Sequence, residues 1–460
     1  RAVAHYHAAL REDSALALAG LKGAMAAHWR THEGEPNELL AAALSRIRYL
    51  PKRYADFARA FDHYMSGRAD SAIAMARVAL RQDSTWTEAW MALGAAHYRL
   101  LPNVATAESV AWNAYRAALA TDSLFTPARY HMAEIALRRG DTVPASALLA
   151  RAAALEDESR LRETLALIMR CMRRPGDAAQ WTHAVTSKAA DVVVAGKILH
   201  AFGPTFSCSR GAFEAVLASD SSTAAQAWAS AVALTALYAA LNDTNAVRRV
   251  AARAATRQLS NWSLPILVYS ATGHLRGAAD SVAEQRAATI QELPSAPHLW
   301  LLGLWALRSG RGTVLRSLSA ESNRRLAAGG TRSDSLIASS LAATALLAQG
   351  DSLRALDQLG ALRPTATEIP LTWQPWESLA AERILAAELS LKLGRIGRAY
   401  ELASLVDAPT PVIHLLYARR SLELRRAAAQ RGRMRDNERM TIARLAALDR
   451  VGTAPRRSDP

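Results

Sequence analysis

A chain of 460 residues, half of them hydrophobic and only 23 of them Gly, is long enough for several domains or one extended repeat array, and too apolar for a disordered segment. Ala and Leu, strong helix formers, dominate its apolar half, while β-branched and aromatic runs of strand length are scarce, which points to an all-α protein. The formal charge of +15 raises the question of nucleic acid, but only five of the 56 basic residues are Lys (Lys22, Lys52, Lys188, Lys197 and Lys392), so coding bias toward Arg is the expected cause and phosphate binding the alternative.

The chain starts at Arg1 inside an amphipathic helical pattern, with neither an initiator Met nor the apolar stretch of a signal peptide, and is expected to be part of a longer polypeptide. The run Ala9-Leu10-Arg11-Glu12-Asp13-Ser14 returns as Ala79-Leu80-Arg81-Gln82-Asp83-Ser84, as Ala118-Leu119-Ala120-Thr121-Asp122-Ser123, and more loosely as Ala154-Leu155-Glu156-Asp157-Glu158-Ser159. Each copy is expected to close one helix and cap the next. A second signature pairs a Gly with an Ala five residues later: Gly67 and Ala72, Gly140 and Ala145, Gly273 and Ala278, Gly350 and Ala355, Gly394 and Ala399. Gly suits the left-handed residue that ends a helix, and Ala lets the returning helix pack closely, so each pair predicts a helical hairpin.

Between 160 and 260 the register fades, with Pro175-Gly176-Asp177 and Asn242-Asp243 as the turn signals. Cys171 and Cys208 make no zinc pattern; they allow one disulfide, but two buried thiols are expected, and the compartment stays open between cytoplasm and, behind an upstream membrane segment, periplasm. The longest apolar stretch, 228–241, contains Ser230 and Thr235 and is shorter than the roughly 20 residues a membrane span needs. Irregular inter-repeat loops are expected at Gly203-Pro204-Thr205, Leu293-Pro294-Ser295-Ala296-Pro297, Gly329-Gly330 and the Pro-rich run 363–375. The stretch 411–449 reads as terminal helices, with Arg419, Arg420, Arg425, Arg426, Arg431, Arg433 and Arg435 spreading charge over several faces.

No motif for chemistry emerges. H-E-x-x-H, G-x-S-x-G and a Walker lysine are absent, Gly310-Arg311-Gly312 reads as a helix end, and Glu12 and Asp13 belong to a turn. His5 and His7 point in different directions on a helix. His63 and His97 fall one repeat apart without recurring carboxylates or thiols, so they are expected to stand in for an inward-facing Tyr and not to hold a metal. No cofactor or catalytic residue is expected.

Trp90, Leu93 and Gly94 open a helix that runs on to Tyr98 and Arg99, and with Ala111, Tyr115 and Ala118 in the helix that follows, the pattern resembles the tetratricopeptide repeat of about 34 residues. In that register repeats begin at Arg53, at Thr87 and near Thr126, with an insertion around Leu101-Pro102-Asn103. The match covers 1–160 well and 260–430 partly; it departs from the family in lacking most of the Trp positions and the terminal Pro, and in having His63 and His97 at the Tyr position. The order of features, including the late Trp373-Gln374-Pro375-Trp376-Glu377, is similar to the tetratricopeptide tails of bacterial serine/threonine protein kinases and of winged-helix, bacterial transcriptional-activator-domain regulators, although no kinase or winged-helix motif lies in this chain.

The resemblance implies a right-handed α-solenoid of stacked antiparallel hairpins, organised as 1–160 (well-registered repeats), 161–330 (divergent repeats), 331–452 (further repeats and capping helices) and 453–460 (a flexible tail). It further implies a non-catalytic scaffold or regulatory arm, its effector domain upstream, binding a protein or peptide in a concave groove. The matching groove positions are Tyr54, Phe57, Phe61, Tyr64, Met91, Tyr98, Arg99, Tyr130, Glu134 and Arg138. An Arg-rich binder of nucleic acid or an acidic partner is the alternative.

Overall fold

The computed structural model describes residues 2–29, 35–66, 68–100, 107–155, 160–174, 179–199, 206–259, 263–274, 277–362, 379–406 and 413–453. Among these residues every regular element is a helix. Gly67, Leu101-Pro102-Asn103, Glu156-Asp157-Glu158-Ser159, Pro175-Gly176-Asp177, Gly203-Pro204-Thr205, the stretch 363–378 and the tail 454–460 lie outside them. The chain divides into two compact units, one of Arg1–Ala136, Asp141–Arg162 and Thr365–Trp373, the other of Leu137–Gly140, Glu163–Pro364 and Gln374–Pro460.

In the first unit the helices are α1 (Ala2–Glu12), α2 (Ala17–Trp29), α3 (Glu35–Ser45), α4 (Lys52–Met65), α5 (Ala69–Gln82), α6 (Thr87–Leu100), α7 (Ala107–Thr121), α8 (Thr126–Arg139) and α9 (Thr142–Ala153). The recurrent Asp-Ser runs make one and the same turn. The amide of Asp13, Asp83 and Asp122 closes the preceding helix on the carbonyl of Ala9, Ala79 and Ala118, and the amide of Leu16, Trp86 and Phe125 then bonds back to the Asp carbonyl. The Asp carboxylate accepts from the amide two residues on, at Ala15, Thr85 and Leu124. The Asp thus builds an Asx turn between the helices and does not cap the next helix, which starts four residues later. Because α2, α6 and α8 all follow this turn, each leaves it in the same direction. From α1 to α7 neighbouring helices pack in sequence, and α4 also packs on α6. Leu21, Met25, Leu39, Phe57, Phe61, Trp86 and Leu93 form one core, and Met91, Tyr115, Met132 and Ile135 a second.

The second unit contains α10 (Arg160–Arg173), α11 (Ala179–Ile198), α12 (Phe206–Ala218), α13 (Ala224–Ala240), α14 (Thr244–Thr256), α15 (Ser263–Thr272), α16 (Ala278–Ala288), α17 (Ala296–Arg308), α18 (Gly312–Ala327), α19 (Arg332–Ala348), α20 (Ser352–Ala361), α21 (Ala380–Lys392), α22 (Ile396–Ser404), α23 (Ile413–Arg431) and α24 (Arg435–Thr453). Six hairpins, from α13–α14 to α23–α24, turn at a residue of positive φ: Asn242, Gly273, Gly310, Gly350, Gly394 and Arg433. At each, the following amide reaches back to a carbonyl of the last helical turn (Asp243 to Tyr238, Asp351 to Leu346, Arg395 to Ser390, Met434 to Ala429), which is the Schellman arrangement. Buried Ala355 and Ala399 sit where the second helix meets the first. One continuous apolar core runs from Phe206 to Leu424, with α15 on α17, α17 on α19 and α21 on α23. The unit does not pack by nearest neighbours alone, because α13 also packs on α23 and so joins the first of the six hairpins to the last.

Two further expectations are corrected here. Pro297 does not break the chain: it lies in the first turn of α17, where the missing N–H costs no helical bond, and the irregular stretch ends at Ser295. Cys171 and Cys208 are not two thiols but a disulfide, because α10 and the first turn of α12 bring their Cα atoms to 5.9 Å across the intervening α11.

Candidate functional site

The first helices of successive hairpins in the first unit carry ionisable and aromatic residues that meet from one helix to the next. The Tyr64 hydroxyl on α4 lies 3.3 Å from Nε2 of His28 on α2, 36 residues earlier, and Arg99 on α6 donates to Glu134 on α8, 35 residues later, at 3.2 Å. The four residues climb successive first helices as the rungs of a ladder, His28, Tyr64, Arg99, Glu134; the first three stand at corresponding places near the ends of α2, α4 and α6, whereas Glu134 stands about one turn earlier on α8, and the long Arg99 side chain spans the offset.

Around the ladder the aromatic rings interlock. His28 meets the rings of Phe61 and Tyr64 edge-on at 5.8 and 5.4 Å, His131 stacks on Tyr115 at 5.3 Å, and the Arg99 guanidinium lies over the Tyr98 ring at 5.0 Å. Nδ1 of His131 is 3.1 Å from the Glu134 carboxylate, so that one carboxylate serves both Arg99 and His131. Glu134 is 3 % exposed at its side chain, whereas Arg99 keeps 36 %. Gly94 makes the arrangement sterically feasible: a Cβ there would come within 2.5 Å of the Tyr115 ring.

The electrostatics follow from burial. Desolvation, reinforced by Arg99 and His131, lowers His28 to about 3, and desolvation likewise lowers His131 against its bond to Glu134, so both imidazoles are neutral at pH 7. Burial raises Tyr64 to about 12 and also pushes Tyr115 up. For Arg99 burial opposes the charge, but Glu134 and the surrounding phenols outweigh it and raise its pKa. The ladder therefore holds one compensated ion pair among neutral rings.

A second cluster surrounds Trp86. Phe57 lies 4.8 Å from its ring, Tyr54 meets it edge-on at 5.1 Å, and Arg53 stacks over Tyr54 at 4.8 Å. Lys22 pairs with Glu88 and lies 5.8 Å from the Tyr54 centroid.

Of the ten groove residues read from the sequence, the ladder brings together Phe61, Tyr64, Tyr98, Arg99 and Glu134. Tyr54 and Phe57 belong to the Trp86 cluster, and Met91 packs in the core with Tyr98 and Tyr115. Seven of the ten (Phe57, Phe61, Tyr64, Met91, Tyr98, Tyr130 and Glu134) are buried, while Tyr54, Arg99 and Arg138 retain partial exposure. His28, Tyr115 and His131 were not singled out as site residues. The signal for His28 was its position one repeat before Tyr64, and for His131 its position one turn before Glu134.

Outside the first unit, Glu382 on α21 is buried and accepts from Trp300 Nε1 at 2.7 Å and from Ser340, both at Oε1, while Oε2 has no hydrogen-bond partner. Burial raises its pKa despite those two donors. The basic run near the C-terminus is largely committed to internal contacts: Arg419 pairs with Asp449 at 2.6 Å, Arg420 with Glu388 at 2.7 Å, Arg431 donates to the Leu391 carbonyl at the end of α21, and Arg425 is buried over Tyr400. His97 is buried and His63 half-buried, and among the described residues no group of three or more His, Cys, Asp or Glu could hold a metal. Nor is any helix there long and apolar enough to cross a membrane. No protein-family model matches the chain, and no curated protein matches it in sequence.

Proposed function

We propose that the chain is a tetratricopeptide-type α-solenoid that works without catalysis, as the scaffold or regulatory arm of a larger bacterial signalling protein, and that the first helices of its N-terminal hairpins bind a protein or peptide. The observation that carries this reading is the ladder of side chains that links successive first helices, with rungs on α2, α4, α6 and α8. A wall of buried rings and one compensated ion pair is a rigid platform, from which the partly exposed Tyr54 and Arg99 face a partner; Tyr and Arg are frequent interface anchors. Binding of nucleic acid is disfavoured by the C-terminal Arg run, several of whose members bond to carboxylates and carbonyls of the same chain.

The test is a pull-down with the purified chain from lysate of its source cells at low and high salt, followed by titration of the captured protein. Binding that survives high salt and weakens at least tenfold in Tyr54→Ala, with unchanged circular dichroism, supports the reading. Recovery of nucleic acid alone, lost at high salt, refutes it.

A further inference from the structure

We propose that Cys171–Cys208 is a disulfide made during folding by a thiol–disulfide oxidoreductase in its oxidised form, and that this chain therefore works in an oxidising compartment outside the cytoplasm. Three observations converge. The chain has two cysteines in 460 residues, and the fold brings these two together from positions 37 residues apart. Their Cα atoms, 5.9 Å apart, lie within the range a disulfide requires of about 4.4–6.8 Å. Finally, both residues are under 2 % exposed, so neither sulfur is open to an oxidant once the unit has folded. A chain that dispenses with cysteine elsewhere but retains a juxtaposed pair uses it as a bond.

The bond has a structural task. It ties α10 to α12 on either side of α11, whose backbone leaves helical geometry at Lys188. Of the three helices, α11 and α12 are already closely fitted: Ser209 donates to the Gly196 carbonyl at 2.9 Å, and a Cβ at Gly196 would meet the Phe213 ring at 2.8 Å. The disulfide adds a covalent tie between α10 and that pair.

The chemistry balances. One cysteine, as thiolate, attacks a sulfur of the oxidant's disulfide, forming a mixed disulfide and releasing one oxidant thiolate. The second cysteine thiolate then attacks the protein sulfur of that mixed disulfide and expels the other oxidant thiolate. The two thiol protons and two electrons of the cysteine pair end on the oxidant's dithiol. Structural disulfides persist in secreted and periplasmic proteins and are rare in the cytoplasm, the known exception being hyperthermophiles. The Lys enrichment of hyperthermophile chains is missing here, where five of 56 basic residues are Lys.

The test uses the full-length protein isolated from its source cells, denatured directly into an alkylating reagent without reductant and weighed intact. Expected are no alkyl groups on Cys171 and Cys208 before reduction and two after it, with the protein recovered in the non-cytoplasmic fraction. Two alkyl groups before reduction, or an oxidised pair in protein confined to the cytoplasm, would overturn the proposal. In the purified protein the native disulfide should resist dithiothreitol and become reducible only at denaturant concentrations that open α10 and α12, read by hydrogen exchange. Rapid reduction without denaturant would contradict the buried-bond argument. Cys171→Ala/Cys208→Ala should raise exchange in α10 and α11 while leaving α4–α6 unchanged; unchanged exchange in α10 would show that the bond ties nothing.

Discussion

Glu134 allows a quantitative test of whether the ladder is a buried electrostatic element or a solvated surface pair. Glu134→Gln keeps the shape of the side chain and removes its charge, leaving Arg99 and His131 without their shared carboxylate. Breaking a fully buried ion pair costs about 3–5 kcal/mol. Because Arg99 retains 36 % exposure, water takes up part of that loss, and the expected cost of Glu134→Gln is about 2 kcal/mol. The reverse change, Arg99→Met, preserves the stem over Tyr98 but strands a carboxylate that is 3 % exposed, so about 3 kcal/mol is expected. The double variant lacks both charges and should lose only about 2 kcal/mol, leaving a coupling energy of about 3 kcal/mol. With two compact units a single unfolding curve is not a safe measure, so the assay is hydrogen exchange in α6 and α8 across a urea series. Additive single losses, with coupling below about 0.5 kcal/mol, would refute the argument by showing that solvent screens the pair.

Three further outcomes are expected. Gly94→Ala gains about 1 kcal/mol of helix propensity but drives a methyl to 2.5 Å from the Tyr115 ring, itself stacked on His131; overpacking of about 1–3 kcal/mol wins and hydrogen exchange in α6 and α7 should rise, with Tyr115→Leu restoring much of the loss in the double variant. Glu382→Gln mimics a protonated carboxyl: since the folded pKa lies above the ordinary 4.5, the native contribution of Glu382 is complete below pH 4.5 and is lost as pH rises through the folded value, so the variant should match the wild type in acid and exceed it at higher pH in urea titrations. His28 has the opposite sign. With a folded pKa of about 3 against 6.5, its neutral form stabilises the first unit above pH 6.5 and that stability drains as pH falls toward 3; His28→Phe should flatten the loss, measured by exchange in α2 and α4 between those pH values.

Much of the fold could be read from residues whose roles are local. The Asp-Ser turns at Asp13, Asp83 and Asp122 rest on bonds within a few residues, and α6 and α8 begin at Thr87 and Thr126 as the repeat register requires. The corners at Gly140, Gly273, Gly350 and Gly394 were legible because Gly best tolerates a positive φ. The corners at Asn242 and Arg433 are geometrically the same but use residues with a Cβ, so the Gly–Ala signature does not mark them; Asn242-Asp243 was legible as a turn signal, the corner at Arg433 was not.

The repeat register placed Tyr64, Arg99 and Glu134 on three successive first helices. It could not say that most of the aromatic residues would be buried, because burial depends on how closely whole helices approach; the Gly94–Tyr115 fit and the stacking of His131 are properties of α6, α7 and α8 together. The same holds for Glu382, whose donors stand 82 and 42 residues away, and for the packing of α13 on α23. Sequence by itself determined the helices, their turns and the periodic positions, all governed by interactions within one repeat or between adjacent ones. Only the tertiary structure decided which charges are desolvated, that Cys171 meets Cys208, and that α13 and α23 touch, because those outcomes depend on distances between segments that share no local pattern.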